Sequence, residues 1–346
     1  MNEMNNVNNT NEMNENVPVT VSVPREEAKR YFLKVGIGIL LLPLLTTALQ
    51  YAFAFLFAAV APNAYHSWWF SWVLSTVPLY CITFPLFLYV LPKPAAPLGE
   101  KRKLGAGRFI VACFVTVSAM YLFNIVSVYF MEIIRTVSGG SLGKTNTLNE
   151  IVSASPTWVT IAIACVLGPI MEEVIFRKVL ISRLVPFGEL RACVLSAVVF
   201  GLFHGNFNQF FYATALGLIF GYVYVKTRNI FYSIGLHMGI NLIGSVIVPN
   251  LLSNKNLEAF ERIAADPTNV SNADALAALV LIGTLLIGGA VIIAGVVLFF
   301  VFLRKIKFDA PALESDDGKT SKMMFFNAGM IAAAVVMTAI FVLSLL

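Results

Sequence analysis

The chain has 346 residues, of which 58% are hydrophobic and 12% charged, where a soluble domain carries about 25% charged residues. Its net charge is +5 and its mean hydropathy +0.80, and apolar runs of about 18 or more residues, each long enough to span a bilayer, recur from Val35 onward. This composition argues against a secreted, nucleic-acid-binding or disordered protein and for an all-α, polytopic integral membrane protein with the lipid bilayer as its partner.

Eight of the first sixteen residues are Asn, and residues 1–28 read as a disordered cytoplasmic tail. The first apolar run starts after residue 34 and is too long for the core of a cleavable signal peptide. Nine spans are predicted, at roughly 35–60, 68–91, 109–134, 157–185, 190–206, 208–226, 230–250, 275–303 and 323–346. They divide into N-terminal helices within 29–156, a core at 157–250, an external loop at 251–274 and C-terminal helices within 275–346. Lys and Arg crowd alternate loops: before span one, at Lys93–Arg108, at Arg183 and Arg191, at Lys226 and Arg228, and at Arg304–Lys322. By the positive-inside rule the N-terminus is cytoplasmic and the C-terminus outside, in what reads as a bacterial plasma membrane. Trp68, Trp69, Trp72 and Trp158 fall near outer span ends, as interfacial aromatics do. Cys81, Cys113, Cys165 and Cys193 lie inside apolar runs without CxxC spacing and read as small packing residues.

Spans one, two, three, eight and nine have no ionisable side chain in their interiors, whereas spans four, five and seven hold Glu172, Glu173, Arg177, Lys178, His204 and His237. A charge at mid-membrane costs about 2.5–3.5 kcal/mol on insertion scales, so this confinement to 172–237 points to function. Glu173 and Arg177, one helical turn apart, can by themselves be a structural ion pair. Pro186-Phe187-Gly188 predicts a tight turn between antiparallel helices. Counted from that turn at 1.5 Å per residue, Glu172, Glu173 and His204 lie at nearly the same depth, about 20–25 Å away. His237 is shallower by roughly 10 Å in straight helices, so an irregular span seven is expected. Three GxxxG spacings, Gly201/Gly205, Gly217/Gly221 and Gly235/Gly239, predict close helix approach in the same region.

A carboxylate and two imidazoles in a desolvated site suggest hydrolysis, with the carboxylate as general base on water. The histidines can ligate a metal together with a Glu, or one can orient water while the other donates to an oxyanion. Glu172-Glu173-Val-Ile-Phe-Arg177 fits EExxxR, Phe200-Gly-Leu-Phe-His204 fits FxxxH, and His237-Met-Gly-Ile-Asn241 fits HxxxN. In that order and spacing the stretch 157–250 resembles the CPBP family of intramembrane proteases, which includes type II CaaX prenyl endopeptidases and bacteriocin-processing and immunity proteins. The resemblance implies an intramembrane endopeptidase acting on a peptide, leader-bearing or lipid-modified protein substrate. Carried over by position, Glu172 activates water with His204, His237 and Asn241 stabilise the oxyanion or bind metal, and Glu173 with Arg177 forms an orienting pair. If a metal is bound, the expected set is Glu172, His204 and His237, with Zn2+ as the cofactor.

Other protease classes fail on residues: HExxH is absent and no Asp lies inside a span. Gly139-Gly140-Ser141-Leu142-Gly143 matches GxSxG, but a nucleophile elbow needs a strand–turn–helix setting and this is a Gly-rich loop. His66, beside three tryptophans, reads as interfacial. Two rival readings are a proton-coupled transporter, in which the same Glu and His residues form a relay, and a non-catalytic peptide-binding or immunity protein.

Overall fold

The computed structural model describes residues 20–143 and 147–346, so the Asn-rich stretch 1–19 lies outside the described residues. In hydrocarbon every backbone N–H and C=O must be met within the segment, and the apolar runs accordingly form helices. They are α1 (Arg25–Val60), α2 (Trp68–Val90), α3 (Ala106–Val137), α4 (Thr157–Phe187), α5 (Glu189–Phe203), α6 (Phe207–Thr227), α7 (Ile230–Leu242), α8 (Asn272–Leu303) and α9 (Ala328–Leu343). The helix of α7 continues through π-wound Ile243–Ile247 and the short Val248–Leu251. Among the described residues seven helices are long and apolar enough to cross a membrane; α5 and α9, two of the nine expected spans, have only 15 and 16 residues. At 1.5 Å per residue these two fall short of a hydrocarbon core of about 30 Å.

α4 sits at the centre, where Ile175, Phe176, Leu180, Ile181 and Leu184 are fully buried beside side chains of α1, α5 and α6. α5 and α6 cross at a glycine: a Cβ on Gly217 would lie 2.9 Å from the Ala197 Cα. α1 and α9 cross the same way, a Cβ on Gly329 meeting the Gly36 backbone at 2.6 Å. The third GxxxG spacing is not such a seam, because nothing lies within 4 Å of a Cβ on Gly239 and Gly235 approaches only Phe109 at 3.8 Å. The turn after α4 is where Pro186 and Gly188 placed it, with Gly188 at φ +124°.

Within the described residues, regular structure starts earlier than expected. Val21–Val23 (β1) pairs in parallel with Leu313–Ser315 (β2), and α1 starts at Arg25, so residues 21–28 do not belong to a disordered tail. Ion pairs surround this small sheet: Arg25 with Asp317 at 3.2 Å, Arg191 with Glu314 at 2.6 Å, and Lys226 and Arg228 with Glu189 at 2.5 and 3.0 Å. The expected external loop 251–274 contains an amphipathic helix, Asn254–Ala265, fastened by Arg262 to Asp274 at 2.6 Å. All four cysteines are free; Cys165 and Cys193 are buried, Cys113 is half-buried and Cys81 is exposed. Trp68, Trp69 and Trp158 are exposed, but Trp72 is buried and donates to Ser155 Oγ at 2.8 Å.

Candidate active site

The site starts from irregular winding in α4. Glu172 and Glu173 end a six-residue α-helical stretch, Gly168–Glu173, with π-wound turns on both sides, Ile161–Leu167 and Val174–Ile181. Pro169 explains part of this: it has no N–H, so the Ala164 carbonyl five residues earlier loses its π-helical partner. The Gly168 N–H is already given to Ile163. The Asn241 side chain donates to the Ala164 carbonyl instead, at 2.8 Å, and so ties α7 to α4. Such π-bulges recur at functional sites.

His237 lies between two carboxylates. Its Nδ1 donates to Glu173 Oε1 at 3.0 Å, and its Nε2 faces Glu172 Oε2 at 3.6 Å. The first is a hydrogen bond; the second is slightly too long for one. The other oxygen of Glu173 is 3.2 Å from Arg177 Nε, with both side chains wholly buried. The Arg177 guanidinium also lies over the rings of Phe200 and Phe220, 4.4 and 5.5 Å from their centroids. Glu173 therefore does two things, pairing with Arg177 and fixing the tautomer of His237 so that Nε2 is left towards Glu172. The first of these is legible in the i,i+4 spacing of Glu173 and Arg177; the second has no signal in the sequence.

His204 closes the C-terminal end of α5, its Nδ1 2.8 Å from the carbonyl of Phe200. A carbonyl can only accept, so Nδ1 carries the proton and Nε2 is left as the acceptor. Its ring packs edge-on against Phe200 at 4.8 Å, and Phe200 packs against His237 at 5.8 Å. Glu172, His204, His237 and Asn241 all line one cavity of about 820 Å³, whose further polar lining includes Tyr80, Asn124, Asn208, Gln209 and Tyr212.

The structure thus brings Glu172, His204, His237 and Asn241 to a common space, with Glu173 and Arg177 behind them. The expected irregularity of span seven is present but lies beyond His237, at π-wound Ile243–Ile247, and α4 is π-wound on both sides of Glu172. His237 itself lies in a regular α-helical turn of α7. Asn241 faces the cavity, but one of its amide hydrogens is committed to Ala164. Among the described residues no group of three His, Cys, Asp or Glu side chains is arranged to hold an ion, although Glu172, His204 and His237 line the same cavity. Glu173 occupies one nitrogen of His237 and Phe200 one of His204, which leaves a single free nitrogen on each ring. Tyr80 and Trp72 come from α2, far from the motifs, and a polar side chain inside an apolar run was the one sequence signal for Tyr80. Ser141 of the GxSxG match is exposed in its Gly-rich turn, bonded to the Ser138 carbonyl.

Fold and site together define a polytopic helical membrane protein with a carboxylate–imidazole cluster in a polar intramembrane cavity. Residues 154–243 match the family model described as type II CAAX prenyl endopeptidase, Rce1-like, which is the family read from the three motifs and overlaps most of the stretch 157–250. The chain is 26% identical over 159 residues to the Bacillus subtilis (strain 168) protein YdiL, covering 45% of this chain and 62% of that one. It is 29% identical over 152 residues to the membrane-embedded CAAX protease MroQ of Staphylococcus aureus (strain USA300), covering 40% and 60%. Over 100 residues it is 37% identical to the UPF0177 protein YbdJ of Lactococcus lactis subsp. lactis (strain IL1403), covering 29% and 43%. The matches to YdiL and MroQ thus span about three fifths of those proteins. No solved structure gives a significant match.

Proposed function

We propose that the protein is an intramembrane endopeptidase that hydrolyses peptide bonds in a membrane-associated, leader-bearing or lipid-modified polypeptide, with Glu172 as general base. The observation that carries the reading is Glu172 facing His237 Nε2 at 3.6 Å in a cavity that also holds His204. The Rce1-like match over 154–243 supports it independently.

The chemistry follows from what each group can give or take. A water held by Glu172 and the acceptor nitrogen of His204 attacks the scissile carbonyl carbon while its proton passes to Glu172. The developing oxyanion is met by the free Asn241 amide hydrogen and by His237 when its Nε2 carries a proton. The C–N bond then breaks, and the leaving amine takes the proton held by Glu172. Glu173 stays ionised against Arg177 and positions His237 without touching substrate. Every step uses water and protein groups alone.

A proton-coupled transporter needs a continuous path, and beyond Glu172 α4 continues through the fully buried Phe176, Arg177, Leu180 and Ile181. A binding or immunity protein is separated from an enzyme by one substitution. Glu172→Gln keeps shape and hydrogen bonding but cannot take the proton, so cleavage falls by about 10²–10⁴ in rate with expression unchanged. The measurement compares the membrane proteome, and then peptide cleavage in proteoliposomes, for the two forms. Cleavage by well-folded Glu172→Gln at the normal rate overturns the assignment.

A further inference from the structure

The charge pattern and the cavity together say from which side the site is reached. Among the described residues, Arg135, Lys255 and Arg262 are the Lys and Arg at one end of the helices. Apart from Arg177 and Lys178 within α4, the other described ones gather at the opposite end, around β1, β2 and the turns after α2, α4, α6 and α8. By the positive-inside rule that crowded end is cytoplasmic.

The cavity runs the other way. Its rim is built from the first turns of α2 and α4, at Trp72 and Thr157, from Ser153 and Ser155, and from Pro249 and Asn250 beyond α7. Ser153, Thr157, Pro249 and Asn250 are exposed, and Trp72 is tied to Ser155 across the rim at 2.8 Å. The loop that leads into α2, residues 61–67, has no Lys or Arg. Towards the basic end the space behind Glu172 is filled: Arg177, Phe176, Leu180, Ile181 and Leu184 have no exposed surface. Arg183 then reaches across to the Pro92 carbonyl at 2.9 Å, and Glu189 holds Lys226 and Arg228.

We propose that the cavity is entered from the face opposite the Lys/Arg-rich loops, the extracytoplasmic side of a bacterial membrane. The polypeptides that reach Glu172 are then segments presented on that face: exported peptides or the outer ends of membrane proteins. The side of entry follows from charge and geometry alone, while the substrate class rests on the peptidase reading.

Cysteine accessibility in intact bacterial cells tests it, on full-length protein whose four native cysteines are replaced by Ala. Ser153→Cys and Asn250→Cys mark the rim, Ser245→Cys the interior, and Lys101→Cys the basic end. A membrane-impermeant maleimide is expected to label the rim and interior positions in intact cells, and Lys101→Cys only after permeabilisation. Labelling of Lys101→Cys in intact cells overturns the proposal, as does labelling of the rim only after permeabilisation. Rim and interior positions that stay unreactive in both preparations overturn the open mouth. The readout needs no cleavage, so catalytically inactive Glu172→Gln protein gives the same pattern. Failure of the peptidase reading appears separately, as unchanged cleavage by that variant.

Discussion

Replacing Arg177 by Met tests whether Glu173 is the hinge of the site. Both side chains are wholly buried and 3.2 Å apart, and Glu173 also accepts from His237 at 3.0 Å. Removing one partner of a buried pair costs about 3–5 kcal/mol, because a carboxylate is left in low dielectric. Loss of the guanidinium stacked on Phe200 and Phe220 adds about 1–2 kcal/mol. His237 offsets part of the first cost, since it can still neutralise Glu173, so the expected loss for Arg177→Met is about 3–5 kcal/mol in all. In the double variant Glu173→Gln/Arg177→Met no charge is stranded, and stability recovers to within about 1–2 kcal/mol of the native protein. Its activity does not recover, because the neutral amide introduced at position 173 cannot hold His237 as the carboxylate does. The assay is unfolding by SDS titration in mixed micelles, with cleavage measured on the folded fraction. A double variant less stable than either single variant, or single effects that add to within about 0.5 kcal/mol, refutes the pairing.

Other outcomes follow from the same geometry. Asn241→Leu orphans the Ala164 carbonyl and is expected to cost about 1–3 kcal/mol as well as activity, whereas Asn241→Leu or Asn241→Asp with undiminished stability and cleavage contradicts the tie to α4. Gly217→Val pushes against the Ala197 backbone, where a Cβ already meets Cα at 2.9 Å, and should cost about 1–3 kcal/mol in SDS titration; a neutral effect refutes the close crossing of α5 and α6. Treatment with 1,10-phenanthroline followed by dialysis is expected to leave cleavage unchanged, and a loss restored by added zinc would return Glu172, His204 and His237 to the role of metal ligands.

Much of this site was legible in the residues. Apolar runs with almost no charge fix helices, because a bilayer leaves the backbone no other way to meet its polar groups. The i,i+4 spacing of Glu173 and Arg177 puts them on one face wherever the helix goes, and they pair at 3.2 Å. The confinement of ionisable residues to spans four, five and seven pointed to the three helices whose side chains meet in the cavity. Such properties are local or compositional, and a sequence carries them without knowing its neighbours.

What the tertiary structure decided depends on contacts between distant segments. Straight-helix counting left His237 roughly 10 Å too shallow, since it assumes one rise per residue throughout and sets two different turns at one level. The π-wound turns on either side of Glu172 break that assumption, and one of them is held by an amide from α7, 77 residues further along. The same holds for β1, whose three residues have no periodicity to read and acquire strand form only by pairing with Leu313–Ser315. Trp72 looked interfacial because amphipathic aromatics favour membrane surfaces, yet a hydroxyl supplied by half-buried Ser155 gives its N–H a partner at the cavity rim. In each case a polar backbone or side-chain group has several possible partners in sequence, and which of them comes within hydrogen-bonding reach is set only when the helices pack.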